Sequence, residues 1–282
     1  METIEIKKNL LDEMMKEEVT DLKNSPKEFL SQVFNEKRDD TLIIILLFKN
    51  ENFKGFTKPY NIEICDRKMF EWVECACEKF EIKSTTCDKN SSIVPLIKPL
   101  LNDKENTLVL YSDTPLLTSN IIEEALDYFR LSGMNVLKLP RGWLFKTEYI
   151  KTAESVSSVQ TREFNELEFK AVNNLKDIEY FTEILKKRIF EKHYENNILI
   201  SDPNSTFIGP NVMIGQGTKI ESNNVIKGLT YIGKNCVLAP FNYISDSIIS
   251  NNCVIKNSSI VKSKISENMV VGPFEIIENK QA

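Results

Sequence analysis

The stretch FIGPNVMIGQGTKIESNNVIKGLTYIGKNCVLAPFNYIS, residues 207–245, decides the fold of the carboxyl-terminal part of the chain. Apolar residues recur in it at every sixth position, as Ile208, Ile214, Ile220, Ile226, Ile232, Leu238 and Ile244. The spacing then slips between five and six through Ile249, Ile255, Ile260, Ile265 and Val271. A helix repeats at about 3.6 residues and a strand at about 2, so neither makes this period. A triangular solenoid does, because each turn has three flat sides and each side presents one inward aliphatic residue. Gly, Asn and Ser crowd the positions between (Ile208-Gly209, Ile214-Gly215, Ile232-Gly233), as tight corners require. Residues 201–282 are therefore expected to form a short hexapeptide-repeat parallel β-helix.

Working back from the repeat, residues 176–200 read as a connecting helix. Ile178, Phe181, Ile184, Leu185 and Ile189 share one face, and acidic residues precede basic ones as the helix dipole favours. Residues 41–175 alternate short apolar runs with amphipathic segments. LIIILLF, Leu42 to Phe48, is apolar on both faces like a buried parallel strand. Helices are expected over Lys68 to Phe80, after Ser91, and over Asn120 to Leu131, where Asn120 and Glu123 form a capping box and Gly133 ends the run. Strands are expected at Thr107 to Tyr111 and Met134 to Leu139. The alternation predicts an α/β domain with a mainly parallel sheet. Residues 1–40 read as two short amphipathic helices broken at Asn24-Ser25-Pro26, an extension without evident chemistry.

The chain has 282 residues, 36 Lys+Arg against 41 Asp+Glu and a net charge of −5, with no basic block, so nucleic acid is not an expected partner. Its longest apolar run is far short of the roughly 20 residues that span a bilayer, and no apolar leader opens it, so a soluble cytoplasmic protein without membrane contact is expected. The single histidine, His193, lies in the polar run RIFEKHYENN and reads as a solvated or capping residue, which removes Ser/His/Asp and Cys/His chemistry. Cys65, Cys75, Cys77, Cys87, Cys236 and Cys253 contain no CxxC pair and read as reduced, buried thiols.

Residues 171–274 carry VNN (Val172 to Asn174), a DPNST element (Asp202 to Thr206), KNSSIVKS and VGPF (Val271 to Phe274) in order. In this the chain resembles the bifunctional bacterial N-acetylglucosamine-1-phosphate uridylyltransferase/glucosamine-1-phosphate acetyltransferase family. The resemblance implies a nucleotidyltransferase α/β domain, a helical arm and a left-handed β-helix that assembles as a homotrimer. It also extends to LVLYSDTPLLT, Leu108 to Thr118, where Ser112 stands in place of the family's glycine before Asp113, Pro115 and Leu116. The family's aspartate and the first asparagine of VNN hold Mg²⁺; the matching residues are Asp113 and Asn173. The implied reaction joins a nucleoside triphosphate and a sugar 1-phosphate into a nucleotide sugar with release of pyrophosphate, as in a UDP-N-acetylglucosamine pyrophosphorylase. Lys58, in a Lys58-Pro59 pair that reverses the family's proline-lysine order, and Arg67, at a lysine position of the family, are the candidates for cationic help.

The chain also departs from the family. Its loop after the first strand, KNENFKGFTKPY, keeps only Gly55 where the family has several glycines and an arginine. The family's sugar-binding segment has no counterpart between Asp113 and Asn173, and GWLFKTEYI, Gly142 to Ile150, is the strand and helix that remain. The chain stops at Ala282 soon after VGPF, and the β-helix has no histidine, so acetyl transfer is not expected. A non-catalytic trimer that binds a nucleotide sugar or a partner stays open as the alternative.

Overall fold

A computed structural model describes residues 40–156 and 162–280. The helices expected over residues 1–40 fall outside the described residues. The chain divides between Thr182 and Glu183 into two units.

The first unit is built on a five-stranded sheet in the order β4-β1-β5-β7-β6. Its strands are β1 (Thr41–Phe48), β4 (Glu81–Cys87), β5 (Asn106–Tyr111), β6 (Val136–Leu139) and β7 (Gly142–Lys146). β1 pairs in parallel with both β4 and β5, while β7 runs antiparallel to β5 and β6. Leu42 to Leu46 are completely buried because β1 has helices or loops on both faces. Ile43, Ile45, Leu108 and Leu110 pack on one side with helices α1 (Met69–Ala76) and α3 (Ser119–Ser132), and Leu42, Ile44, Leu46 and Val109 pack on the other with α2 (Ile93–Ile97) and α4 (Thr147–Thr152). Each such side chain contributes roughly 1.5–3 kcal/mol through burial. A hairpin of β2 (Glu63–Ile64) and β3 (Arg67–Lys68) turns through Cys65 and Asp66, both left-handed.

Helix α3 begins one residue earlier than the sequence pattern indicates. Thr118, not Asn120, is the cap: its Oγ1 accepts the Ile121 N–H at 3.4 Å. Glu123 instead takes the Lys79 ammonium at 3.1 Å, and Gly133 ends the helix in the left-handed conformation as expected.

Helix α5 (Asp177–Glu195) leads into the second unit, a three-sided parallel β-helix of the left-handed hexapeptide type. One side stacks Met213–Ile214, Tyr231–Ile232, Ile248–Ile249 and Lys264–Ile265, the second Leu199–Ile200, Lys219–Ile220, Val237–Leu238, Val254–Ile255 and Val270–Val271, and the third Phe207–Ile208, Val225–Lys227, Tyr243–Ser245, Ser259–Val261 and Ile276–Glu278. Pairings such as Lys219 with Val237 and Tyr243 with Ser259 show coils that tighten from 18 to 16 residues, the same slip visible in the sequence spacing. The stacks Ile208-Ile226-Ile244-Ile260, Ile220-Leu238-Ile255 and Ile232-Ile249-Ile265 are sealed from solvent.

The corners are turned mainly by asparagine and aspartate rather than by the glycines that follow the isoleucines. Asn235, Asn252 and Asn268 lie one coil apart with φ near +54° to +61°, and Asp246 and Asn279 serve another corner. Asparagine enters this region more cheaply than most residues because its short amide bonds locally. Gly215 and Gly233 are required for a different reason. A Cβ on Gly215 would stand 2.6 Å from the Gly233 backbone in the next coil.

Buried polar residues inside the solenoid form ladders. Asn242 donates from its backbone and its side chain to Asn224 Oδ1 at 3.1 and 2.9 Å, and its own Oδ1 accepts the Ser258 N–H at 2.9 Å. Thr218 Oγ1 likewise accepts the Cys236 N–H at 3.0 Å. Satisfied in this way, they avoid the roughly 1–3 kcal/mol cost of an orphaned buried group. The six cysteines are free thiols, and all but Cys75 are buried. Among the described residues no helix is long and apolar enough to cross a membrane.

His193 differs from its sequence reading. It is 5% exposed rather than solvated, and its carbonyl accepts the Asn196 and Ile198 N–H groups at 3.1 Å. Burial, and then the charge of Lys192, lowers its pKa from 6.5 to about 4. The unfolded chain takes up a proton there before the folded chain does, so stability present above pH 6.5 is lost as pH falls towards about 4. The upper limit of the loss is about 3 kcal/mol. Urea unfolding followed by circular dichroism should show the decline between pH 6.5 and 5, and His193→Leu should flatten it; an unchanged slope in H193L would refute the assignment.

Candidate functional site

The parallel register of β1 on β5, Leu46 opposite Tyr111, brings both carboxyl ends to one edge of the sheet. Open α/β sheets bind ligands at that edge. Ser112 ties the ends together: its N–H donates to Leu46 O at 3.0 Å, and its hydroxyl accepts the Phe48 N–H at 3.0 Å. The side chain that replaces the family's glycine is thus a bonded part of the strand end.

Asp113 follows, 3% exposed. Its carbonyl accepts the Val172 N–H at 2.8 Å, which brings VNN beside it across 59 residues of chain. Asn173 is fixed on several sides. Its N–H donates to Asp177 Oδ2 at 2.7 Å, its carbonyl accepts the Asn50 amide at 3.2 Å, and its Nδ2 donates to Ala171 O at 3.1 Å. That leaves Oδ1 as the acceptor without a protein partner among the described residues. Asn50 belongs to the loop after β1, so three separated segments converge here.

The carboxylate of Asp113 is held by a residue that sequence reasoning missed. β7 is antiparallel to β5, so the tip of the β6–β7 hairpin reaches the carboxyl edge of β5. Only glycine fits at the start of β7, since a Cβ on Gly142 would stand 2.5 Å from Val109 O. Arg141, just before it, donates from Nε to Asp113 Oδ1 at 3.0 Å and from Nη2 to Oδ2 at 2.5 Å. The guanidinium also lies over two rings, with its carbon 4.2 Å from the centroid of Tyr111 and 5.1 Å from that of Phe48.

The electrostatics follow from this packing. Burial raises the Asp113 carboxyl above the ordinary carboxylate range, and the hydrogen bonds and charge of Arg141 offset part of that rise. Against the lowering effect of its own burial, the hydrogen bond and charge of Asp113 raise the Arg141 guanidinium. Burial and then the Asp113 charge push the Cys87 thiol up to about 12, so it is not a nucleophile. Burial and then Arg141 lower Lys138 to about 8, with its ammonium 3.1 Å from Gly142 O and over the Trp143 ring.

The other two sequence candidates lie elsewhere in the unit. Lys58 is exposed at the entry to a short 3-10 turn, Pro59–Asn61. Arg67, in the β2–β3 hairpin, stacks over Trp72 with its guanidinium carbon 4.6 Å from the ring centroid. A cleft of about 420 Å³ opens in the loop after β1, lined by Lys49, Asn50, Phe53, Lys54, Thr57 and Asp88 among others. Its lysines are Lys49 and Lys54. Among the described residues no cluster of three or more His, Cys, Asp or Glu is arranged to hold a metal.

No family model matches the chain. Curated proteins do. A bifunctional protein GlmU of Clostridium novyi is 41% identical over 110 residues, 39% of this chain and 24% of the relative. That of Fervidobacterium nodosum is 35% identical over 159 residues, 56% of this chain and 33% of the relative. That of Clostridium botulinum is 29% identical over 248 residues, 73% of this chain and 54% of the relative. The chain thus spans between a quarter and about half of the length of these relatives. Over most of its own length it is similar to the bifunctional GlmU proteins, the family that its motifs resemble.

Proposed function

We propose that the chain is a sugar-1-phosphate nucleotidyltransferase related to UDP-N-acetylglucosamine pyrophosphorylases, joining a nucleoside triphosphate to a sugar 1-phosphate with release of pyrophosphate. The observation that supports this reading is the Val172 N–H bond to Asp113 O, which joins the backbone of VNN to Asp113 at the carboxyl edge of β5. In the reaction a sugar-phosphate oxygen attacks the α-phosphorus and pyrophosphate leaves, so the protein's task is alignment and charge neutralisation.

The donor chemistry suits Mg²⁺. Asp113 offers a carboxylate and Asn173 an amide oxygen turned outward by the Nδ2 bond to Ala171. Hard oxygen donors, only one or two from the protein, are typical of Mg²⁺ sites completed by water and phosphate. When bound, the ion would neutralise phosphate oxygens. Asn50 braces Asn173, and the lysines of the adjoining cleft, Lys49 and Lys54, add positive charge beside the loop. Acetyl transfer is not part of the proposal, because the sole histidine is buried before the first coil and is kept neutral by that burial.

The β-helix supports assembly as a homotrimer. Outward residues of one sheet, Tyr243 and Ile276, and the left-handed corner residues Phe241 and Phe274 leave an apolar strip interrupted by Ser259 in the coil between Tyr243 and Ile276, with Phe274 78% exposed. Such strips mark association surfaces. Light scattering should give about three times the 32.5 kDa chain mass, and Phe274→Asp with Ile276→Asp should lower it. A strictly monomeric wild-type protein would defeat the trimer.

The activity is tested by pyrophosphate release from UTP and N-acetylglucosamine 1-phosphate with Mg²⁺. Asp113→Asn keeps the side-chain shape and should reduce turnover on the order of a hundredfold or more, as loss of a charge-stabilising group does. Absence of release with every nucleoside triphosphate and sugar 1-phosphate tried would remove the reading.

A further inference from the structure

The loop after β1 is poorly suited to receive a polyphosphate on its backbone in the way a glycine-rich loop does. Several of its amide donors are already engaged: Lys49 N–H with Cys87 O, Asn52 N–H with Asn50 Oδ1, Phe53 N–H with Asn50 O and Phe56 N–H with Phe53 O. Only Gly55 in the loop has the freedom that a concave amide nest demands. Fixed side-chain cations at this edge are therefore the better-suited partners for phosphate charge.

One side chain is built for that. Arg141 uses Nε and one hydrogen of Nη2 on Asp113, and its guanidinium carbon lies 4.2 Å from the ring centroid of Tyr111 and 5.1 Å from that of Phe48, two rings in edge contact at 5.9 Å. Nη1 has no hydrogen-bond partner among the described residues, and the side chain is 29% exposed. A guanidinium has five donors in a rigid fork, so two or more remain for an oxyanion. It is immobilised before any ligand arrives, so little further ordering is needed to bind one.

We infer that Arg141 is a phosphate-binding residue of this edge, a fixed cation whose free Nη1 face takes a phosphoryl oxyanion without a metal. The assignment rests on the nucleotide-sugar reading above for its biological ligand and names the residue that supplies the contact the glycine-poor loop lacks. Asp113 positions Arg141 with both of its carboxylate oxygens.

The test is calorimetric titration of inorganic pyrophosphate into the full chain in excess chelator. Wild type should bind. Arg141→Lys keeps a cation beside Asp113 but loses the fork, and should weaken binding tenfold or more while the circular dichroism spectrum is retained. Arg162→Lys, an equal change at a surface ion pair with Glu124, should leave binding unaltered. If R141K proves unfolded, Arg141→Gln with Asp113→Asn removes both charges and should fold without binding pyrophosphate. Failure of wild type to bind in chelator, or wild-type affinity in a folded R141K or in the double variant, would overturn the inference. Chelator-resistant binding without turnover would sink the proposed activity and leave Arg141 assigned; turnover without such binding would do the reverse.

Discussion

The register of β1 on β5 is the constraint on which the chemistry of the α/β unit depends. With Leu46 opposite Tyr111, β1 runs two residues past the end of β5, and the hydroxyl and amide of Ser112 lock the two ends together. The same register puts Phe48 beside Tyr111, and that ring pair is the seat of the Arg141 guanidinium. A slip by one residue would turn every side chain of β1 to the other face and remove the seat.

Burying Asp113 next to that edge carries a large penalty. An unpaired carboxylate in such a place costs several kcal/mol, and only a partner with good geometry offsets it. The partner arrives from the β6–β7 hairpin, whose path is set by the antiparallel pairing of β7 on β5 and by the close approach at Gly142. Strand register, hairpin placement and the charge state of Asp113 are thus one coupled problem.

What was legible in the sequence follows from how local each signal is. The solenoid could be read because its period is carried by residues six apart, and the later coil tightening was visible as the slip after Ile244. Asp113 could be read as a strand-end carboxylate because strand and motif are contiguous. Arg141 could not, since Pro140-Arg141-Gly142 looks like an ordinary turn and its partner lies 28 residues away. His193 was misjudged from its polar neighbours along the chain. The informative signal was the spacing of four that joins it to Phe181, Leu185 and Ile189, all buried on the same helix face. At the corners, glycine drew notice, yet left-handed backbone is carried mostly by asparagine, which composition alone does not distinguish from a loop residue.

The two halves of the chain meet polar demands in different ways. Inside the solenoid every coil repeats the same environment, so one amide or hydroxyl per coil can serve its neighbour's N–H, and the ladders close on themselves. At the strand edge there is no repetition to exploit. The loop amides that are bonded within the protein are lost to a ligand, and a side-chain cation is then a source of fixed positive charge. Arginine suits the place better than lysine, because a planar fork can satisfy a buried carboxylate with one edge and still present donors on another.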